Sequence, residues 1–179
     1  MKAAIKLNLI LLFSLTQFFS YSQKAIDFPT DNWPLVVFAV RHAEKADHSR
    51  NPDLSKLGKE RAILLADVLR SANIDQIHSS DYTRTKETAA PIAKNLSKRT
   101  QIYNPKKLEE LVTKLKDAGG RHLVVGHSNS TPSLVKLLGG DSISKINDDG
   151  EYDRLYMVTI TKDGTVSSVL LRYGLPYKR

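Results

Sequence analysis

The chain of 179 residues contains no cysteine. That excludes a disulfide framework, a zinc–thiolate site, an iron–sulfur cluster and a thiol nucleophile together. It also makes the fold indifferent to an oxidising compartment, and it leaves no cysteine after the N-terminal apolar run to carry a lipid anchor. Long hydrophobic runs are scarce. The longest is the mostly apolar stretch Leu7–Phe19, shorter than the roughly 20 residues that span a bilayer comfortably. No second run follows that would hold the chain in a membrane. Stacking aromatics are thin where basic residues gather. Lys94, Lys98, Arg99, Lys106, Lys107, Lys114 and Lys116 have only Tyr103 among them, a poor pattern for nucleic acid.

What the chain does have is positive charge. Twenty-seven Lys and Arg against 19 Asp and Glu give a net charge of +8 and a pI near 9.6, a balance that favours anionic partners, phosphorylated molecules and anionic lipid surfaces included. Hydrophobic content of 41% and charged content of 26% are those of a soluble globular domain. The first 22 residues read as a secretory signal peptide: Lys2 and Lys6 form the basic start, Leu7–Phe19 the apolar centre, and Ser20-Tyr21-Ser22 a small-x-small cleavage site. The expected mature unit is a single domain over residues 23–179, secreted or periplasmic. No repeat or linker divides it.

After a lead-in with Pro29 and Pro34, the run Leu35-Val36-Val37-Phe38-Ala39-Val40 has the continuous apolarity of a strand buried on both faces. Ser55 is placed to cap a helix reaching about Arg70, with Ile63, Leu64, Val68 and Leu69 as its expected apolar face. Residues 76–79 read as a strand. Asp81 is the expected cap of a helix over about 82–97, which Pro91 is expected to kink or break. Residues 101–103 suggest a strand, and residues 105–117 a helix with Leu108, Leu111, Val112 and Leu115 on one face. His122–Gly126 is a second buried strand, followed by a helix over about 131–138 that Gly139-Gly140 stops. Residues 154–161 and 165–172 alternate as a hairpin about Asp163-Gly164. Alternating strands and helices predict an α/β fold, a three-layer α/β/α sandwich with a mostly parallel sheet. Its active site belongs beyond the C-terminal strand ends, where Arg41-His42, Ser79-Ser80 and His127 fall.

Those positions suit phosphoryl transfer. The chemistry needs a positioned nucleophile and positive charge about the equatorial oxygens. A neutral imidazole such as His42 is nucleophilic near pH 7 without a dedicated base. The planar fork of an arginine such as Arg41 can bond two phosphate oxygens, and a cationic His127 can donate to the same oxygens. None of these roles requires a metal or cofactor.

Four fragments occur in order: Arg41-His42-Ala43-Glu44, Leu54–Ala62 (LSKLGKERA), Ser79–Ala89 (SSDYTRTKETA) and Val125–Asn129 (VGHSN). Together they resemble the histidine phosphatase superfamily, phosphoglycerate mutase-like, in a branch with Ala in place of the usual Gly after the Arg-His pair. The resemblance covers about residues 35–140. It implies that His42 is phosphorylated in turnover and that Arg41, Arg84 and His127 complete the phosphate pocket.

The acid that protonates a leaving alkoxide is less legible. In many family members a glutamate between the two halves of the pocket serves, and Tyr103-Asn104-Pro105 offers no match. Glu44, two residues after His42, is the catalytic acid expected here; Asp148, Asp149, Glu151 and Asp153 stand near a late loop that can fold over the pocket. Ser55 and Gly58 read as structural, His78 and His122 as strand residues, and His48 as a loop residue within reach of substrate. The expected function is an exported phosphatase acting on a small phosphomonoester. A phosphohistidine phosphatase and a non-catalytic module binding phosphorylated glycan or lipid are its rivals, and substrate identity and oligomeric state are not written in the sequence.

Overall fold

The computed structural model describes residues 33–177; the expected signal peptide and most of the lead-in lie outside them. One six-stranded sheet runs through the described chain in the order β3-β2-β4-β1-β5-β6. The strands are β1 (Leu35–Arg41), β2 (Gln76–Ser80), β3 (Thr100–Tyr103), β4 (Arg121–Gly126), β5 (Arg154–Ile160) and β6 (Val166–Arg172), and the helices are α1 (Lys56–Val68), α2 (Thr83–Asn95), α3 (Leu108–Ala118) and α4 (Ser130–Leu137). The pairs β3–β2, β2–β4 and β4–β1 are parallel; β5 joins β1 antiparallel and β6 closes the hairpin on β5. Gly164 turns that hairpin at φ 85°, a backbone region that glycine enters without steric cost.

The apolar run of β1 is explained by its neighbours. Leu35, Val37 and Ala39 face Leu111, Val112 and Leu115 of α3 and Leu134 and Val135 of α4. Phe38 and Val40 point the other way, into a second core with Leu65 and Ala66 of α1 and Ala89 and Ile92 of α2. Successive side chains alternate between faces, and both faces are roofed by helices. This is the expected three-layer sandwich with a mostly parallel sheet.

Local expectations fare unevenly. Ser55 caps α1 as expected, its hydroxyl accepting from Gly58 N at 3.1 Å. The apolar face assigned to α1 is wrong for three of its four residues; only Leu69, at the C-cap, is buried as expected. Ile63, Leu64 and Val68 are 62%, 37% and 48% exposed, and the buried stripe is Gly58, Arg61, Ala62, Leu65 and Ala66. Three of those five are Gly or Ala, and Leu65 is the large hydrophobe that faces inward while Ile63, Leu64 and Val68 face outward. Asp81 caps nothing; α2 starts after Tyr82 without a side-chain cap, and Asp81 pairs with Lys86 at 2.7 Å. Pro91 does not break α2, which continues to Asn95 with Ala89 and Ile92 buried on either side of it. Proline removes one helical hydrogen bond, and apolar packing holds both turns. The helix expected from Pro105 begins at Leu108, after a turn closed by Lys107 N donating to Asn104 O at 3.0 Å.

Candidate active site

Strands β2, β4 and β1 lie side by side, so their C-terminal ends share one rim. Arg41 ends β1 and His42 follows it, Ser80 ends β2, and His127 follows β4; Arg84 stands in the first turn of α2. The rim borders a cleft of about 510 Å³ lined in part by His42, Arg84 and His127.

His42 is 4% exposed. Its Nδ1 lies 2.8 Å from the Ala43 carbonyl oxygen, which only accepts, so Nδ1 carries the ring proton and Nε2 keeps the lone pair. Burial, then the nearby Arg41, Arg84 and His127, lower its pKa to about 3 against the opposing pull of the Ala43 hydrogen bond. The imidazole is therefore neutral at pH 7, as a nitrogen nucleophile must be.

His127 is set by a short relay. Its Nε2 is 2.8 Å from Ser80 Oγ. Ser80 Oγ donates to Thr85 Oγ1 at 3.1 Å, and Thr85 spends its own hydrogen on the carbonyls of Ser80 and Tyr82. Ser80 is left to accept from His127, which fixes the tautomer with Nε2 protonated. Nδ1 then presents a lone pair 3.5 Å from Arg84 Nη2. Burial and the two arginines lower the pKa of His127 to about 4. The cation expected from the sequence is thus a neutral ring in the free site, and a bound dianion is the charge that draws a proton onto it.

The arginines differ from expectation in an informative way. Arg41 is 1% exposed and lies beneath the cleft. Its Nη1 donates to the carbonyls of Asn147 (2.9 Å) and Glu151 (3.1 Å), and its Nη2 to the carbonyl (2.8 Å) and carboxylate (2.6 Å) of Asp148. Its guanidinium carbon sits 4.1 Å from the centre of the Tyr152 ring, at cation–π distance. Arg41 is therefore a strut for the loop 147–152 as well as a neighbour of His42. Arg84 lies over the Tyr82 ring at 4.5 Å. Its Nε and Nη1 and the Nε of Arg41 are buried without a hydrogen-bond partner. Buried donors are almost always satisfied, and three arginine N–H groups left over beside a nucleophilic histidine match a tetrahedral oxyanion.

Glu44 is not brought into this group. Both of its oxygens accept from Arg61 Nε, at 2.8 and 3.0 Å, and Arg61 is tied in turn to the carbonyls of Tyr173 and Leu175. Glu44 does not line the cleft. A proton donor needs a carboxyl oxygen facing the substrate, so the expectation of a catalytic Glu44 is corrected to that of an internal ion pair. Gly58 is structural as expected: a Cβ there would stand 2.3 Å from the Glu44 carbonyl oxygen. His48 is exposed and outside the cleft lining.

Sequence reasoning missed Tyr82, Lys106, Ser128 and Asn129, all of which line the cleft, and Tyr152 stacked on Arg41. Each lies just past a strand end or in a polar loop, and position relative to the strands was the one available signal. Among the described residues no cluster of three or more His, Cys, Asp or Glu side chains is grouped to hold a metal ion.

Solved structures with this fold are phosphoglycerate mutase-like. The alpha-ribazole phosphatase from Shigella flexneri superposes with a TM-score of 0.62 at 13% identity, over 80% of this chain and 99% of that one. The protein histidine phosphatase SixA, complexed with tungstate, gives 0.61 at 17% over 76% and 96%. A mycobacterial glucosyl-3-phosphoglycerate phosphatase with inorganic phosphate gives 0.60 at 14% over 80% and 97%. No curated protein matches the chain by sequence. Residues 37–113 match the family model of the histidine phosphatase superfamily (branch 1). Over that span the chain is similar to the superfamily.

Proposed function

We propose that the chain is an exported phosphoric monoester hydrolase that works through a phosphohistidine on His42. The observation that carries this reading is the set of buried, unpartnered N–H groups of Arg41 and Arg84 beside a neutral imidazole whose Nε2 is free. The substrate phosphoryl group settles against those donors. On binding, the dianion draws a proton from solvent onto His127, which then donates to the phosphoryl oxygens; His42 Nε2 attacks phosphorus, the bond to the leaving oxygen breaks, and that oxygen departs with a proton from an acid in the cleft. Water then attacks the phosphohistidine and releases orthophosphate. No step calls on a metal or cofactor. Export rests on the sequence of residues 1–22, and the net charge of +8 suits a small anionic substrate.

A phosphohistidine phosphatase is the second reading. The cleft is compatible with it, because among the described residues its lining holds a single carboxylic acid, Asp148, which is paired with Arg41, and a phosphorylated imidazole leaves without an acid as strong as an alkoxide needs. A non-catalytic phosphate-binding module is the third. The discriminating experiment is turnover of p-nitrophenyl phosphate, an alkyl phosphate and a phosphohistidine peptide by wild type and His42→Ala, with and without chelator. Equal rates in the two proteins defeat the catalytic readings. Intact mass of the exported protein tests cleavage after Ser22; a mass that still includes residues 1–22 defeats export by signal peptide.

A further inference from the structure

With Glu44 bound to Arg61, the proton for a leaving alkoxide has to come from elsewhere. Among the described residues, Asp148 is the one carboxylic acid lining the cleft that holds His42 and His127. Its side chain is 71% exposed, open to a substrate. It is also held from two sides, by Arg41 Nη2 at 2.6 Å and by the Ser128 hydroxyl, which donates at 2.8 Å from the residue next to His127.

The loop bearing it is built. Arg41 clasps the carbonyls of residues 147, 148 and 151. Glu151, 4% exposed, accepts from Arg154 at 2.7 Å and Arg172 at 3.0 Å. Asp148 is thus positioned through its backbone and through Oδ1, which accepts from both Arg41 and Ser128, while Oδ2 takes part in neither bond and is left to respond to what enters the cleft.

We propose, building on the phosphatase reading, that Asp148 is the proton donor to the leaving group and the proton acceptor for the hydrolytic water. In the first step the bond from His42 Nε2 to phosphorus forms, the bond from phosphorus to the leaving oxygen breaks, and the Asp148 carboxyl proton passes to that oxygen. In the second step water attacks phosphorus, gives its proton to the Asp148 carboxylate, and orthophosphate leaves with the nitrogen lone pair restored.

The groups facing Asp148 decide when it is protonated. In the free protein the Ser128 hydrogen bond, followed by the charges of Arg41, Lys45 and His42, holds it below the ordinary aspartate value. A phosphoryl dianion on the arginines places like charge beside it and draws on the Arg41 charge it now uses. Both changes push its proton affinity up, so binding prepares the acid.

The test compares leaving groups. Asp148→Asn keeps the backbone carbonyls that Arg41 clasps. With this variant the loss in kcat/KM on an alkyl phosphate is expected to exceed the loss on p-nitrophenyl phosphate by about 100-fold, the scale of general acid catalysis. The basic limb of the alkyl phosphate pH profile disappears with it, and Asp148→Glu restores part of the alkyl rate. Equal losses on both substrates, or no loss on the alkyl ester, overturn the proposal and make Asp148 a tether of the loop. If His42→Ala retains full activity, it is the phosphatase reading that falls.

Discussion

Two buried histidine pairs sit in one sheet and do different things. His78 Nε2 and His122 Nδ1 are 3.0 Å apart inside β2 and β4, and His122 Nε2 donates to the Gly119 carbonyl at 2.6 Å. That carbonyl fixes the tautomers: His122 accepts at Nδ1, so His78 donates from Nε2. The proton between them is accepted by His122 Nδ1, and the ring proton of His122 ends at a backbone acceptor. His42 and His127, with ring centres 5.5 Å apart, stand at the strand ends instead. Each spends its ring proton on a protein acceptor and keeps a lone pair in a site where Arg41 Nε and Arg84 Nε and Nη1 have no partner. Burial makes both pairs neutral, with His78 at about 4 as His127 is. What separates a site from a core histidine is therefore the unfinished hydrogen bonding around it.

The largest effect that can break this comparison is loss of turnover. His42→Ala is expected to lower kcat/KM on p-nitrophenyl phosphate by more than about a thousandfold, or about 4 kcal/mol of transition-state stabilisation. His122→Phe is expected to leave the cleft chemistry intact and to cost about 1–3 kcal/mol of stability by stranding the His78 N–H. Steady-state kinetics and urea melts on both variants read the two quantities; a thousandfold loss in His122→Phe would join the pairs into one site.

The next effect falls on the arginine donors. Arg84→Lys keeps one charge and removes the fork whose Nε and Nη1 lack partners. It is expected to cost about 2–3 kcal/mol in kcat/KM, the value of hydrogen bonds to a charged group, with little change in melting. A phosphate-binding titration on the same variant shows whether the loss lies in binding or in the step after it.

The fold and most of the site were legible in the sequence because they rest on different signals. A continuous apolar run such as residues 35–40 specifies a doubly covered strand, and residues at strand ends in a parallel sheet converge. His42 and His127 are placed on one rim in that way, whereas Arg84, in the first turn of α2, was singled out only by the resemblance of its fragment. Glu44 did not, because its fate is set by Arg61, seventeen residues on, a basic residue hidden on the buried stripe of α1. The Arg41 strut was invisible for a related reason: its acceptors are mainly backbone carbonyls more than a hundred residues away, and carbonyls carry no sequence identity. The hydrophobes of α1 misled because hydropathy ranks Ile63 above Ala62, while the buried stripe falls on Gly58, Arg61, Ala62, Leu65 and Ala66, where a glycine and an arginine carry no apolar signal.

Acid stability sharpens the comparison further. The unfolded chain takes up protons at an ordinary histidine pKa near 6.5, whereas native His42 and His78 resist until about 3 and 4. Between those values the unfolded state binds more protons, so stability is complete above about pH 6.5 and falls as pH drops. Each histidine contributes up to about 1.4 kcal/mol per pH unit. Urea midpoints are expected to decline from pH 7 to pH 5. Added phosphate is expected to soften the part due to the cleft pair, whose proton affinity rises beside a dianion, and to leave the part due to His78 and His122. A decline unchanged by phosphate would show that the two pairs titrate alike.

The smallest effect is expected at the fifth histidine. His48 lies in the exposed loop between Lys45 and Leu54, which are joined by an isolated bridge, and it meets neither criterion of the site, being neither buried nor beside an unpartnered donor. Exposed substitutions away from such features change stability by no more than about 0.5 kcal/mol. His48→Ala is expected to stay inside that limit and within about twofold in kcat/KM, since 0.5 kcal/mol corresponds to little more than a factor of two. A tenfold loss on a small phosphomonoester would place the loop in contact with bound substrate. The unpartnered arginine donors would then mark only the phosphoryl end of a larger site, whose specificity is completed by residues that close on it after binding.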